Sequence, residues 1–211
     1  MKVTATNLGQ PTTILWKNKE EQTGIFKYPT TAPIHLGVHD VVKDTVIDRK
    51  HHGGEYKACY LFSAKHYEYW KNLYPNLSWD WGMFGENITI DALDESSLII
   101  GSIYQLGTAL VQITQPREPC YKLGIRFNDQ KILKQFIDHG HPGTYIKVLK
   151  EGMVATGDAF TLVENPNQTL TVQAFYKLLF EREKNQETLQ LALKNNALPQ
   201  KKRDKLVKFI K

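Results

Sequence analysis

The sequence predicts a mainly β (α+β) protein, with a β-barrel domain over residues 1–165 and a three-helix domain over 166–211. Three observations carry this. The first 165 residues are dominated by short β-prone runs punctuated by Gly and Pro, which suits a barrel or sandwich. Few helical stretches intervene, so the strand-helix alternation of a parallel sheet is missing. Beyond Glu164-Asn-Pro-Asn-Gln the apolar spacing becomes helical.

In chain order, Val3-Thr-Ala-Thr, Ile25-Phe-Lys-Tyr and Ile34-His-Leu-Gly-Val read as strands, with Pro29, Pro33 and Gly37 between and after them. Lys57-Ala-Cys-Tyr-Leu-Phe is an apolar, strand-like run. Asn87-Ile-Thr-Ile, Ser102-Ile-Tyr-Gln-Leu, Ala109-Leu-Val-Gln-Ile-Thr-Gln, Gly143-Thr-Tyr-Ile-Lys-Val-Leu and Ala159-Phe-Thr-Leu-Val-Glu follow. Several of these alternate with the period of two expected of half-buried strands. Two segments read as helices lying against the barrel: 63–73, capped by Ser63, and 129–138, capped by Asp129 or Asn128. In the tail, Val172, Phe175, Leu178 and Leu179 fit one helix. Leu189, Ala192 and Leu193 fit a second, and Leu206, Val207 and Ile210 a third that begins after Pro199. Helices this short are marginal alone and must pack on each other or on the barrel.

Composition narrows the function classes. No window approaches the roughly 18–20 consecutive apolar residues of a membrane span. The N-terminus lacks the apolar stretch of a signal peptide, so a cytoplasmic protein with no membrane partner is expected. The net charge of +5 is unevenly placed. Residues 1–170 carry 17 Lys and Arg against 18 Asp and Glu, and residues 171–211 carry 10 against 4. All the excess therefore sits in the helical tail. That tail lacks Gly-rich or aromatic stacking motifs, which favours a solvated helix face over a nucleic-acid site. Dinucleotide and P-loop glycine patterns are absent.

Four segments could carry chemistry. Cys120 follows a strand-like run, in a loop stiffened by Pro116 and Pro119, beside Arg117 and Lys122. Nearby cations favour the thiolate, the form that binds metals or attacks, although a cysteine taken alone is most often a small buried hydrophobe. Cys59, inside its apolar run, reads that way. His52-Gly-Gly is either an ordinary turn or a place where backbone N–H groups approach a ligand, with Arg49 and Lys50 just upstream. Phe84-Gly-Glu-Asn offers a turn at Gly85 and a donor-acceptor pair at Asn87. Gly140-His-Pro-Gly reads as a turn into a strand, able to aim backbone groups at an anion.

In this order and spacing, His52-Gly-Gly, Phe84-Gly-Glu-Asn and Gln115-Pro-Arg-Glu-Pro-Cys-Tyr-Lys-Leu resemble the MOSC domain family. The helical tail resembles that of its YiiM-like branch. The resemblance covers roughly residues 20 to 211 and is strongest from 50 to 125. It implies a β-barrel that binds the molybdenum cofactor (Mo-molybdopterin), with Cys120 as the metal's thiolate ligand and the catalytic residue. Arg49, His52, Gly53, Gly54, Gly85, Glu86, Asn87 and Arg117 match the family's cofactor-binding motifs. Of these, Arg49, His52 and Arg117 would hold phosphate or pterin, and Asn87 would read a polar edge. The implied activity is reduction of N-hydroxylated substrates, including bases of the 6-hydroxylaminopurine type, to the amine. Electrons would come from a separate reductase, since the chain has no flavin, nucleotide or iron–sulfur motif. Sulfur transfer through a Cys120 persulfide, or a non-catalytic cofactor carrier, are the alternatives. A homodimer fits the resemblance and the twofold habit of soluble oligomers. Two positions depart from the family pattern: Lys43-Asp44 stands for Gly-Asp, and Gly140-His-Pro-Gly for Gly-Arg-x-Gly, placing His141 where an arginine is usual.

Overall fold

The strand runs assemble into an eight-stranded sheet in the computed structural model, which describes residues 1–47 and 53–211. Its members are β1 (Val3–Gly9), β4 (Lys27–Thr30), β6 (Cys59–Ser63), β7 (Ile88–Ile90), β8 (Ile103–Leu106), β9 (Ala109–Pro116), β10 (Thr144–Lys150) and β12 (Phe160–Glu164). They lie in the order β12-β8-β9-β10-β6-β7-β1-β4. All neighbours are antiparallel except β6 and β7, which run parallel. β1, next to last in this order, meets β12 at its other end. Val3 N–H donates to Asp158 O at 2.9 Å and Phe160 N–H to Met1 O at 2.8 Å, and Lys2 bridges Ala159, so β1 returns to the start of β12. The sheet thereby closes as a barrel, leaving β4 outside the ring, and closure satisfies backbone groups that an open edge would expose.

Two small sheets complete the β structure. β5 (Ile34–Leu36) pairs with β11 (Gly152–Val154), and β2 (Thr12–Trp16) forms a hairpin with β3 (Lys19–Thr23). Lys17 and Asn18, at the hairpin tip, have φ of 50° and 62°. Two positive φ values in a two-residue loop are the primed turn whose twist matches the flanking strands.

The helices partly depart from expectation. Ser63 ends β6 and is followed by a 3-10 turn (64–66) and then α1 (Tyr67–Leu73). Its hydroxyl makes no cap bond and is buried without a partner. A short helix α2 (Tyr121–Arg126), in a segment to which the sequence assigned no element, follows Cys120 directly. α3 (Ile132–His139) starts later than read, because Asp129 folds the preceding turn by accepting from Lys131 N–H at 2.9 Å. It ends at Gly140 in the left-handed conformation. The tail forms α4 (Val172–Phe180), α5 (Gln186–Lys194) and α6 (Gln200–Val207). Thr171 and Asn185 cap the first two by accepting from Ala174 and Thr188 N–H.

One apolar cluster runs from barrel residues such as Leu61, Ile88, Val111 and Ile146 into the tail through Val172, Phe175, Leu189 and Leu198. Each side chain so buried contributes roughly 1.5–3 kcal/mol. That burial supplies what these short helices lack alone. A second, aromatic cluster of Phe62, Trp70, Phe84, Phe127 and Phe136 sits under α1–α3 and fixes the turn 82–87 against α2. Among the described residues no helix is long and apolar enough to cross a membrane.

Candidate cofactor site

Cys120 lies at the C-terminal end of the barrel segment that includes β9, as the residue that caps α2. Its backbone is extended, with φ −130° and ψ 167°, and its carbonyl accepts from Leu123 N–H at 2.8 Å. The side chain is partly exposed and lines two spaces at once. One is a cavity of about 90 Å³ reaching into the barrel end; the other is a groove of about 1010 Å³ between the barrel and the C-terminal helices. Gly53, Lys57 and Lys122 line both spaces as well. Burial and the neighbouring Lys202 hold Lys57 below the ordinary lysine range.

Arg117 is the cation of the inner cavity. It is 4% exposed, donates through Nη1 to Phe84 O, and lies over the Tyr60 ring at 5.1 Å. Among the described residues no carboxylate pairs with it. A buried guanidinium is expensive unless an anion faces it. Also lining the cavity, Lys27 and Asp44 form a buried ion pair. Asp44 also accepts from Gly9 N–H at 2.8 Å and from Asn87 Nδ2 at 2.9 Å. Tyr60 and Tyr145 complete the wall, with ring centroids 5.2 Å apart. Burial pushes Tyr145 up to about 12, so its ring stays neutral.

Several residues expected from the sequence converge here. Gly53, Gly85, Asn87, Arg117 and Cys120 all line the cavity. Gly53 and Gly85 have φ of 74° and 76°, a backbone conformation that favours glycine, and a Cβ on either would sit tightly against a neighbouring side chain, at 3.1 or 3.0 Å. Gly54, with φ 82°, faces the groove and donates to His39 O at 2.8 Å.

Asn87 is bonded inward. Its Oδ1 accepts from Tyr60 N–H at 3.3 Å while Nδ2 serves Asp44 and Asn7. Glu86 is fully buried and does not line the cavity. It accepts from Gly82 and Phe84 N–H, from Thr89 Oγ1 and from Tyr67, clasping the turn that presents Gly85. Burial raises its carboxyl above the ordinary value, with Tyr67 opposing that rise. Arg49 and His52 lie outside the described residues. Asp44, Tyr60, Tyr145 and Lys57 were not singled out as site residues from the sequence; Asp44 carried a signal, as half of the Lys43-Asp44 departure.

Cys59 lies 1% exposed in β6, and burial drives its thiol upward, as expected for a core cysteine. The Gly140-His-Pro-Gly turn does aim backbone at an anion, but the anion is the chain's own. Gly143 N–H donates to Glu95 Oε1 at 2.8 Å, and His141 Nδ1 meets Glu95 Oε2 at 3.1 Å. His66, Glu95 and His141 each offer a donor atom within 4.8 Å of the others. The His66 and His141 rings stack at 4.1 Å with planes 24° apart.

The residues present fit an anionic, sulfur-ligated cofactor: a partly exposed thiol, an uncompensated buried guanidinium and close-approach glycines face one space. Gln115, which lines the groove 1% exposed, adds a buried Oε1 with no partner. The sequence profile of the MOSC domain family matches residues 48–161. The protein YflK of Bacillus subtilis is 31% identical over 212 residues, covering 97% of this chain and 96% of YflK. A protein named Reductase from Gibberella moniliformis is 32% identical over 150 residues, covering 70% of this chain but 27% of that protein. The crystal structure of YiiM from Geobacillus stearothermophilus superposes with a TM-score of 0.83 at 30% identity, covering 100% of this chain and 99% of YiiM. The chain belongs to the MOSC domain family, and its similarity to YiiM runs along its whole length.

Proposed function

We propose that the protein is a molybdenum-cofactor-dependent oxidoreductase that reduces N-hydroxylated substrates to amines. The carrying observation is the position of Cys120, at the junction between a cavity holding the uncompensated Arg117 and an open groove. MOSC domains generally bind the molybdenum cofactor, and one relative is named a reductase.

In this reading the Cys120 thiolate ligates the metal, Arg117 faces an anionic part of the cofactor, and Gly53 and Gly85 admit its bulk. When bound, the cofactor supplies a two-electron reductant at a soft, sulfur-rich metal. The net conversion takes R–NHOH, two electrons and two protons to R–NH2 and water. The electrons come from a separate reductase. Lys57, held by burial below the usual ammonium range, stands at the junction and can deliver a proton to the departing oxygen. The Cys120 loop and α6 face each other across the groove and set which substrates reach the thiol.

Cofactor-loaded protein should reduce an N-hydroxylated purine with a chemical electron donor. Cys120→Ser should abolish turnover and weaken metal retention, and Cys59→Ser should do neither. Stoichiometric molybdenum without turnover would instead favour a carrier.

A further inference from the structure

Three segments distant in the chain bring two imidazoles onto one carboxylate oxygen. His66 Nε2 lies 3.9 Å and His141 Nδ1 3.1 Å from Glu95 Oε2. His66 closes the 3-10 turn before α1, Glu95 sits in the turn 94–98, and His141 follows Gly140 at the end of α3. None of the three lines the cavity or the groove around Cys120. Glu95 is fully buried, and among the described residues no Lys or Arg pairs with it. A buried carboxylate is costly without a cation or a metal. Where the family pattern has an arginine, this chain offers His141, a residue whose ring nitrogens are common metal ligands.

The surroundings hold the three donors in place. Glu95 Oε1 accepts from Gly143 N–H at 2.8 Å, which leaves Oε2 to face the rings. Gly143 is itself pinned, with φ 65° and room for a Cβ denied by Leu61 O at 2.2 Å. On the far side, His66 Nδ1 lies 3.1 Å from His139 Nε2. With His66 donating there, its Nε2 lone pair is left toward Glu95. Bonds of this kind from the remote atom of a ligand orient metal-binding side chains and fix their tautomer.

Zinc bonds of about 2.0–2.1 Å in a tetrahedral shell put donor atoms about 3.3 Å apart. The two distances to Oε2 bracket that value, and none of the three separations exceeds 4.8 Å. The rings stack at 4.1 Å, so metal binding turns one of them about χ2, a broad torsion in histidine. His141 is the one placed to turn, with 28% of its side chain exposed against 16% for His66.

We propose that His66, Glu95 and His141 form a divalent transition-metal site, with zinc the expected ion, that clips the start of α1, the turn 94–98 and the end of α3 together. Two imidazole nitrogens and a carboxylate oxygen suit this class of metal, and the position they leave open falls to water. Tyr60 Oη, on the cofactor-cavity wall, donates to Pro142 O at 2.7 Å, so the clip also steadies that wall. The site rests on these residues and not on the function proposed above.

The test titrates the full-length protein, dialysed against EDTA and then buffer, with zinc chloride and separately with cobalt chloride. The parent should take up one zinc per chain with micromolar or tighter affinity. Zinc at about 100 times its Kd should raise the thermal midpoint by about 5–10 °C. Bound cobalt should show visible d–d bands without a thiolate charge-transfer band. His141→Arg keeps a cation facing Glu95 and removes a ligand; with the parent's circular dichroism, it should bind zinc at least about 100-fold more weakly. Glu95→Gln, which can still accept from Gly143 N–H, should lose zinc likewise, and Cys120→Ser should bind it as the parent does. No uptake by the parent, or uptake that survives in both His141→Arg and Glu95→Gln, would overturn the proposal. So would a thiolate band with uptake lost in Cys120→Ser, which would assign the metal to that thiol.

Discussion

Arg117 shows how much one side chain can say about the charge of a ligand. Its guanidinium lies over Tyr60 and donates to Phe84 O, and no carboxylate among the described residues balances it. A cofactor that carries negative charge into the cavity would remove that imbalance. Arg117→Leu should therefore lower the molybdenum retained per protein by about 10- to 100-fold, the usual effect of losing a supporting group around a metal. Metal analysis after gel filtration checks this, and unchanged content would remove Arg117 from the site. At this scale the sequence was informative where a residue type is chemically unusual: Cys120, Arg117 and the paired glycines could be found by motif. Tyr60 and Tyr145 could not, because aromatic residues in apolar strands look alike whether they face core or cavity. Asn87 and Glu86 were visible as polar residues in a turn, but their bonding to Asp44, Tyr67 and backbone N–H groups emerges only when three distant segments meet.

At the scale of elements, the turn that carries Asp44 is held by a conformation its residue dislikes. Lys43 has φ 67°, in the left-handed region, at the position where the family pattern has glycine. An L-residue pays about 1–2 kcal/mol there, and glycine regains most of this against a larger unfolded-state entropy. Lys43→Gly should thus stabilise the protein by about 0.5–1 kcal/mol, read as a higher urea midpoint at unchanged slope; a lower midpoint would show that the lysine is held by contacts that offset the strain. The same turn still lets Asp44 bond Gly9 and Asn87. Other elements were hidden for physical reasons. The hairpin strand Lys19–Thr23 is polar on both faces and shows no alternation. It is held from outside by Trp16 stacked on Tyr121 at 4.8 Å and by Tyr121 donating to Glu21 at 2.5 Å. α2 spans six residues and contains Gly124, too short and too flexible to announce itself, although it aims Cys120. The long strands and the tail helices were legible because their apolar spacing is driven by the one continuous core they share.

For the whole molecule, the histidine cluster joining the 63–66, 94–95 and 139–143 segments should shape how stability follows pH. Burial lowers His139 to about 4 and also lowers His66, whereas bonding to Glu95 raises His141. The unfolded chain takes up protons at His139 and His66 first, so these two cost stability as pH falls from about 6.5 toward 4. His141 has the opposite sign: its contribution is present below its ordinary 6.5 and disappears as pH rises through its raised folded value. In urea unfolding at pH 5 and pH 8, His139→Gln should flatten the acid loss and His141→Gln should deepen it. Identical pH slopes in the two variants would contradict the assignment. Barrel and tail together place Cys120 between an inner cavity and a basic groove. The most direct test of that role is X-ray absorption at the molybdenum edge of the loaded protein. With Cys120 as the ligand, Cys120→Ser removes one sulfur from the metal's coordination shell relative to the parent, while Cys59→Ser removes none. An unchanged sulfur count in Cys120→Ser would contradict it.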